Sequence, residues 1–309
     1  MKIVFLGTPR FAVPSLKILF NSSHEVRAVV TVPDCRQGRG LRVKYSPVKK
    51  AAQDLKLPVL QPENLNDEKF LNDLANFQAD CFMVVGFCIL PEVIFTMPPY
   101  GSINLHASRL PKYRGAAPIQ WALIKGEKQT GVTTFFIQKK VDTGNILLQD
   151  SLNIEENDTA GTLHDKLSSL GADLVLRTID LLEAGKISPR LQKGESSRAP
   201  KINTEMGKLN WEKSAEEIIN LSRGLSPRPG VYTFWKKKRI KLFGAEKLNK
   251  SSSKEFPPGT IVDISPPGLD VTTGKGIVRF HQLQLEGKNR MDACEFIRGT
   301  HIAPGTKLD

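Results

Sequence analysis

The densest run of reactive side chains in the sequence is Asn104-Leu105-His106-Ala107-Ser108-Arg109-Leu110-Pro111-Lys112-Tyr113-Arg114-Gly115-Ala116-Ala117-Pro118. Its first residues read as the end of a buried strand. Alternate side chains of a strand share a face, so Asn104 and His106 point into one crevice. An amide donor beside an imidazole suits acyl transfer: the amide stabilises a developing oxyanion, and the imidazole takes a proton from the attacking nucleophile. Asp142, on the turn Val141-Asp142-Thr143-Gly144, is the carboxylate available to orient that ring. Plainer readings compete. A lone histidine is commonly a core residue satisfied by a carbonyl, and an aspartate before a glycine commonly bonds its own turn. Ser108 imitates a hydrolase nucleophile but has no GxSxG elbow around it, which favours hydrogen bonding within the loop over attack.

These groups need a scaffold, and the pattern supplies one. Lys2–Leu6 reads as a strand and Val13–Phe20 as a helix entered near Pro14. Further buried-strand runs fall at Val26–Val32, Cys81–Val85 and Ile103–Leu105, separated by polar helical stretches at Val48–Leu55 and Asp67–Asn76. That alternation predicts an α/β fold with a doubly wound, mostly parallel sheet covered on both faces. Such sheets bind ligands at the carboxyl ends of their strands, where Asn104 and His106 fall. Strands at Val132–Ile137 and Ile146–Leu152 follow, then a long helix at Thr159–Leu182. The stretch Gly7-Thr8-Pro9-Arg10 follows the first strand as a dinucleotide loop would, yet lacks the second and third glycines of GxGxxG. Residues 184–204 are rich in Gly, Ser, Pro and Lys without periodicity, which marks a linker. A helix at Ala215–Leu221 and short β-like runs at Gly230–Trp235, Arg239–Phe243, Thr260–Ile264 and Gly276–Leu285 predict a smaller β-barrel. The expected organisation is a catalytic domain over 1–188, a linker over 189–205 and a second domain over 206–309.

The 309 residues are 40% hydrophobic and 25% charged, which excludes disorder. No run approaches the ~20 apolar residues that span a bilayer, and the apolar start breaks at Gly7, Pro9 and Arg10, unlike a secretory signal. A cytoplasmic protein without membrane association is expected. Cys35, Cys81, Cys88 and Cys294 form no CxxC pair, and the histidines show no metal-ligand spacing, so reduced thiols and no metal are expected. The net charge of +12 favours a polyanionic partner. Residues 1–190 carry +4 of it and residues 191–309 carry +8, which points to the carboxyl-terminal third.

The run INLHASRLPKYRGAAPIQWALIKGEKQTGVTTF, followed by VDTGNILLQ, resembles the folate-dependent formyltransferases. The likeness extends to KIVFLGTPRFAVPSL, PDCRQGRGLRVKYSPVK, LSRGLSPRPGVYTF, GKNRM and FIRGTHIAPGTKL, nearly end to end. It implies a formyltransferase-type Rossmann-like domain followed by an OB-like barrel. The implied activity moves a formyl group from 10-formyltetrahydrofolate to the α-amino group of methionine on initiator tRNA, for translation initiation. The family's catalytic Asn, His and Asp fall on Asn104, His106 and Asp142. Its folate-binding SLLP motif falls on Ser108, Arg109, Leu110 and Pro111, with Arg109 replacing the first leucine. The usual aromatic-glycine pair of the folate pocket is also replaced, by Val85-Gly86-Phe87-Cys88-Ile89-Leu90-Pro91. The implied partners are initiator methionyl-tRNA and folate, and a large enclosed RNA suits a monomer.

Charge placement bears on the RNA separately. Arg36, Arg39, Arg42, Lys44, Lys49 and Lys50, interleaved with Gly38 and Gly40, form a mobile basic loop near the sheet's ligand edge. It reads as an insertion into an acceptor stem or as a solvated lid over the folate. Lys236, Lys237, Lys238, Arg239 and Lys241 beside Trp235 suit a barrel that holds phosphates and stacks a base. A strand edge protected by lysines is the competing reading. Rival functions are a sugar or nucleotide-sugar N-formyltransferase, a formyl-folate hydrolase, and a non-catalytic RNA-binding protein. The basic second domain argues against the first two, and the joint presence of Asn104, His106 and Asp142 argues against the third.

Overall fold

The computed structural model describes residues 1–37, 42–248, 256–264, 266, 268–300 and 302–309, which divide into two compact units. The first comprises Met1–Pro118, Gln129–Asn153 and His164–Ala199. Its strands are β1 (Lys2–Gly7), β2 (Glu25–Val30), β3 (Cys35–Gln37), β4 (Arg42–Lys44), β5 (Val59–Leu60), β6 (Cys81–Val85), β7 (Ser102–His106), β8 (Gln129–Phe136) and β9 (Ile146–Asn153). Helices α1 (Val13–Phe20), α2 (Pro47–Asp54), α3 (Glu68–Asn76) and α4 (Glu92–Phe95) belong to it, whereas α5 (Pro118–Ile124) falls almost wholly in the second unit and α6 (Ala160–Glu183) begins there before running through the first. Seven strands form one sheet in the order β5-β2-β1-β6-β7-β8-β9. Pairing is parallel from β5 to β7 and antiparallel across β7–β8 and β8–β9, so the sheet is Rossmann-like and mostly parallel.

Local chemistry accounts for these elements. Ile3, Val4, Phe5 and Leu6 of β1 and all of β6 are buried, the signature of central strands covered on both faces. Asp67 caps α3 by accepting from the Phe70 amide, and Ser46 caps α2 with Pro47 behind it, pre-set for a first helical turn. The strand order reverses between β1 and β6, and that reversal opens the crevice where open α/β sheets hold ligands. Gly171 lets α6 lie tightly against β7: a Cβ there would stand 2.7 Å from Leu105, between the two candidate catalytic positions.

The second unit comprises Ile119–Lys128, Ile154–Leu163 and Pro200–Asp309. It holds α7 (Ala215–Leu225), strands β10 (Val231–Trp235), β11 (Lys238–Leu248), β12 (Ile261–Asp263), β13 (Leu269–Thr272), β14 (Ile277–Leu285) and β15 (Met291–Asp292), and α8 (Ala293–Thr300). The antiparallel order is β10-β11-β14-β13-β12, with β15 added on β14. The sheet curls around Leu209, Trp211, Ile218, Val231, Leu242, Phe280 and Phe296. Trp211 meets Phe280 edge to face and donates its indole N–H to the buried Thr233 hydroxyl. The terminal residues bridge the open side of the curl. Thr306 and Leu308 bond to Ile261 and Gly259, and Asp309 exchanges two backbone bonds with Phe234 of β10. Among the described residues no helix is long and apolar enough to cross a membrane.

Candidate active site

Strand β7 ends on Asn104, Leu105 and His106, and its alternation puts the amide and the imidazole on one face. Neighbouring ladders fix the register, with Asn104 opposite Val84 and Phe135 and His106 opposite Thr133. His106 is buried, and its Nε2 lies 2.8 Å from the carbonyl of Tyr113. A carbonyl only accepts, so Nε2 carries the hydrogen and Nδ1 of the neutral ring keeps an open lone pair. Nδ1 faces the Asp142 carboxylate at 3.9 Å. The carbonyl contact that marks a core histidine therefore also selects the tautomer a proton acceptor needs.

Asp142 sits in the left-handed region at φ +53, a conformation aspartate tolerates in turns. Its carboxylate does not bond its own turn. Oδ2 accepts from the Gly115 amide at 2.8 Å, which joins it to the loop that follows His106. Gly144 is required beside it, because a Cβ there would collide with the Phe136 carbonyl. Asn104 is half-buried, and its side-chain amide has no hydrogen-bond partner among the described residues. Asn104 and Asp142 line a cavity of about 120 Å³ whose walls include Val84, Phe87, Leu90, Phe135 and Ile137. That is below the roughly 300–1,000 Å³ of sites that enclose a whole drug-sized ligand, so it suits one ring of a longer molecule. Cys88 is exposed on the same wall, where partial desolvation pushes its thiol up.

The segment Ser108–Pro111 is held as structure under this site. Ser108 is fully buried, and its hydroxyl donates to the Lys112 carbonyl at 2.6 Å. Thr133 donates to the Ser108 carbonyl and accepts from the Leu110 amide, while Gln149 donates to the Leu110 carbonyl. Leu110 packs on Phe135 and Ile146. Arg109 points away, exposed, with its guanidinium on Gln129. None of Ser108, Arg109, Leu110 and Pro111 lines the cavity.

The basic residues are placed separately. Arg36 and Arg42 fall on the paired strands β3 and β4, opposite Val43 and Gln37, so part of the expected loop is a two-stranded ladder; Arg39 lies outside the described residues. Lys44 is exposed next to Cys35 of the ladder. Beside the ladder Lys49 bonds Asp34 and holds that carboxyl below its ordinary range, with Gln61 assisting. In the second unit Lys236 and Lys237 form the two-residue turn between β10 and β11, at φ +48 and +64, with Lys238 starting the return strand. Lys236 places its ammonium 4.6 Å from the centre of the Trp235 ring. A cleft of about 680 Å³ in this unit, lined by Glu216, Arg223, Glu246 and His281 among others, contains none of the candidate catalytic residues. Among the described residues no group of three or more His, Cys, Asp or Glu converges as a metal site would.

Reading the sequence missed Gln192, which donates to the carbonyls of Asp142 and Gly144, and Ser197, which holds the Tyr113 amide. Neither sits in a motif; their partners are main-chain groups far away in sequence. It also missed the apolar cavity wall from Phe135 and Ile137, for which strand alternation was the available signal.

Similarity to known proteins extends over both units. Residues 1–179 match the family described as formyl transferase, and residues 201–301 match the formyl transferase C-terminal domain. A methionyl-tRNA formyltransferase of Caldanaerobacter subterraneus subsp. tengcongensis is 47% identical over 311 residues, covering all of both chains. Another, of Desulforamulus reducens, is 43% identical over all of this chain and 98% of its own. Among solved structures, an N-formyltransferase from Helicobacter canadensis, in complex with folinic acid and dTDP-3-aminofucose, superposes with a TM-score of 0.65. It is 22% identical, over 91% of this chain and 99% of that one.

Proposed function

Because the chain belongs to the formyl transferase family, we propose that it is an enzyme that formylates methionyl-tRNA, taking the formyl group from a folate donor. The donor is 10-formyltetrahydrofolate and the acceptor is the α-amino group of methionine on initiator tRNA. One observation carries the reading: Asn104 and Asp142 line one cavity, and Asp142 stands 3.9 Å from the Nδ1 of His106. The full-length likeness to methionyl-tRNA formyltransferases, second unit included, supports RNA over a small amino-sugar as acceptor.

The residues present fit such a donor. The cavity's apolar walls suit a heteroaromatic ring, and Asn104, Gln138 and Asp142 add polar groups to its lining. When bound, the donor supplies a one-carbon acyl group on a weakly basic nitrogen. Addition of the amine builds negative charge on the formyl oxygen, to which the Asn104 side-chain N–H, unpaired among the described residues, is free to donate a hydrogen bond. The amine nitrogen becomes positive as it forms the new N–C bond, and Nδ1 of His106 takes its proton. Asp142, itself held by its bond to the Gly115 amide, stabilises the resulting imidazolium at close range. The same proton then returns to the departing nitrogen as the old C–N bond breaks. Ser108–Pro111 support the loop under the donor, and the basic groups Arg36, Arg39, Arg42, Lys44, Lys236, Lys237 and Lys238 grip RNA phosphates.

The test incubates the full chain with 10-formyltetrahydrofolate and, in parallel, methionyl-tRNA, an amino-sugar nucleotide, or water alone. Formylmethionyl-tRNA as the dominant product is expected. Preferential formylation of the amino-sugar, or release of formate in water at the same rate, overturns the assignment.

A further inference from the structure

We propose that Gln192 and Ser197, in the stretch that composition marks as a linker, are positioning residues for the reaction centre; this rests on the formyl-transfer reading above. Residues 190–199 have almost no regular structure, yet they are tied along the catalytic loop. Arg190 exchanges two backbone bonds with Ile146, at 2.7 and 2.8 Å. At the other end Ala199 donates to the Arg114 carbonyl and accepts from the Ala117 amide. Between them the chain passes so close to Gly115 that a Cβ there would stand 2.8 Å from the Ala199 carbonyl.

Within this strap each of the two side chains secures one strained residue. Tyr113 and Asp142 both sit in the left-handed region, at φ +59 and +53, where residues with a Cβ need outside support. Gln192 uses both ends of its amide. Nε2 donates to the carbonyls of Asp142 and Gly144 at 2.9 Å each, and Oε1 accepts from Arg114 at 3.2 and 2.6 Å. Ser197 accepts from the Tyr113 amide at 2.9 Å through its hydroxyl, and from the Arg114 amide through its carbonyl. Tyr113 in turn presents the carbonyl that fixes the tautomer of His106. The strap thus sets both partners of the imidazole: the acceptor on Nε2 through Ser197, and the carboxylate facing Nδ1 through Gln192. Without those ties His106 can place its hydrogen on Nδ1, which removes the lone pair that receives the proton. Small misplacement of reacting groups costs turnover rather than binding.

The experiment compares full-length Gln192→Ala, Gln192→Glu, Ser197→Ala and Ser197→Thr with the parent in steady-state kinetics. The His106 tautomer is read in parallel by nitrogen NMR of histidine-labelled protein. Gln192→Ala is expected to lower kcat by about 10- to 100-fold with both KM values within about twofold. Gln192→Glu keeps an acceptor for Arg114 but cannot donate to the two carbonyls, and is expected to be as slow. Ser197→Ala is expected to lower kcat by about tenfold and to show a mixture of tautomers, while Ser197→Thr restores both. Parent-like kcat in Gln192→Glu, or an unchanged Nε2–H tautomer in both alanine variants, overturns the proposal. So does a loss of kcat matched by a general rise in KM and a fall in melting temperature, which marks ordinary structural damage. If the parent itself does not formylate methionyl-tRNA, the proposed function fails, and the tautomer measurement still decides the role of the strap.

Discussion

At the carboxyl edge of β7, the polar groups of Ser108, Thr133, Gln149, Gln192 and Ser197 are engaged in bonds that fix a backbone position. At the tip of the β10–β11 hairpin, Lys236, Lys237 and Lys238 are exposed and make no ion pair among the described residues; Lys236 rests on the ring of Trp235. The first region spends its polar groups on geometry, which acyl transfer needs to within a fraction of an ångström. The second keeps charge in solvent, which suits a polyanion whose phosphates are bound by charge density and adaptable side chains. The Asn104 amide, which has no hydrogen-bond partner among the described residues, departs from that pattern, and the proposed mechanism assigns it to the reacting oxygen.

Asn104→Ala sets the two regions apart most strongly. Turnover is expected to fall by about 10²- to 10³-fold, the usual effect of deleting an oxyanion donor, with RNA affinity within about twofold. A comparable loss of RNA affinity would erase the division. The opposite experiment replaces Lys236, Lys237 and Lys238 together with alanine. Plots of log Kd against log salt are expected to lose about 2 to 3 units of slope, with turnover at saturating RNA unchanged. Reduced turnover at saturation would assign the hairpin to the chemistry instead.

The smallest effect concerns the scaffold of the second unit. Ser214→Ala removes one arm of the α7 capping box and is expected to cost about 1 kcal/mol, read by melting. The other arm titrates. The Ser214 backbone amide, then Lys213, lowers the Glu217 carboxyl from 4.5 to about 2. A depressed carboxylate stabilises the fold above its unfolded value, so this contribution is complete above pH 4.5 and lost as pH falls toward 2. Glu217→Ala should flatten that part of the melting profile, and an unchanged acid limb would deny the capping role.

The parallel strands were legible because burial on both faces leaves continuous apolar runs, as in β1 and β6. The amide and imidazole were legible because strand alternation ties residues two apart to one face. The strap was not, because Gln192 and Ser197 bond main-chain groups 50 and 84 residues away, which leave no spacing signal. Strands β3 and β4 were hidden because their arginines, beside Gly38 and Gly40 in the sequence, read as loop. Strand β13 and helix α8 lie close to Pro- and Gly-rich stretches that mask short elements. The lysine run concealed a turn: its two positive-φ positions are ones that Asn-Gly usually marks.

Single-turnover formyl transfer by His106→Ala, with RNA affinity measured on the same preparation, is the decisive comparison. The rate constant should fall by about 10²- to 10⁴-fold while the RNA Kd stays within about twofold of the parent. A parent-like rate constant would remove the imidazole from the chemistry, and with it the role assigned to the carboxyl edge of β7.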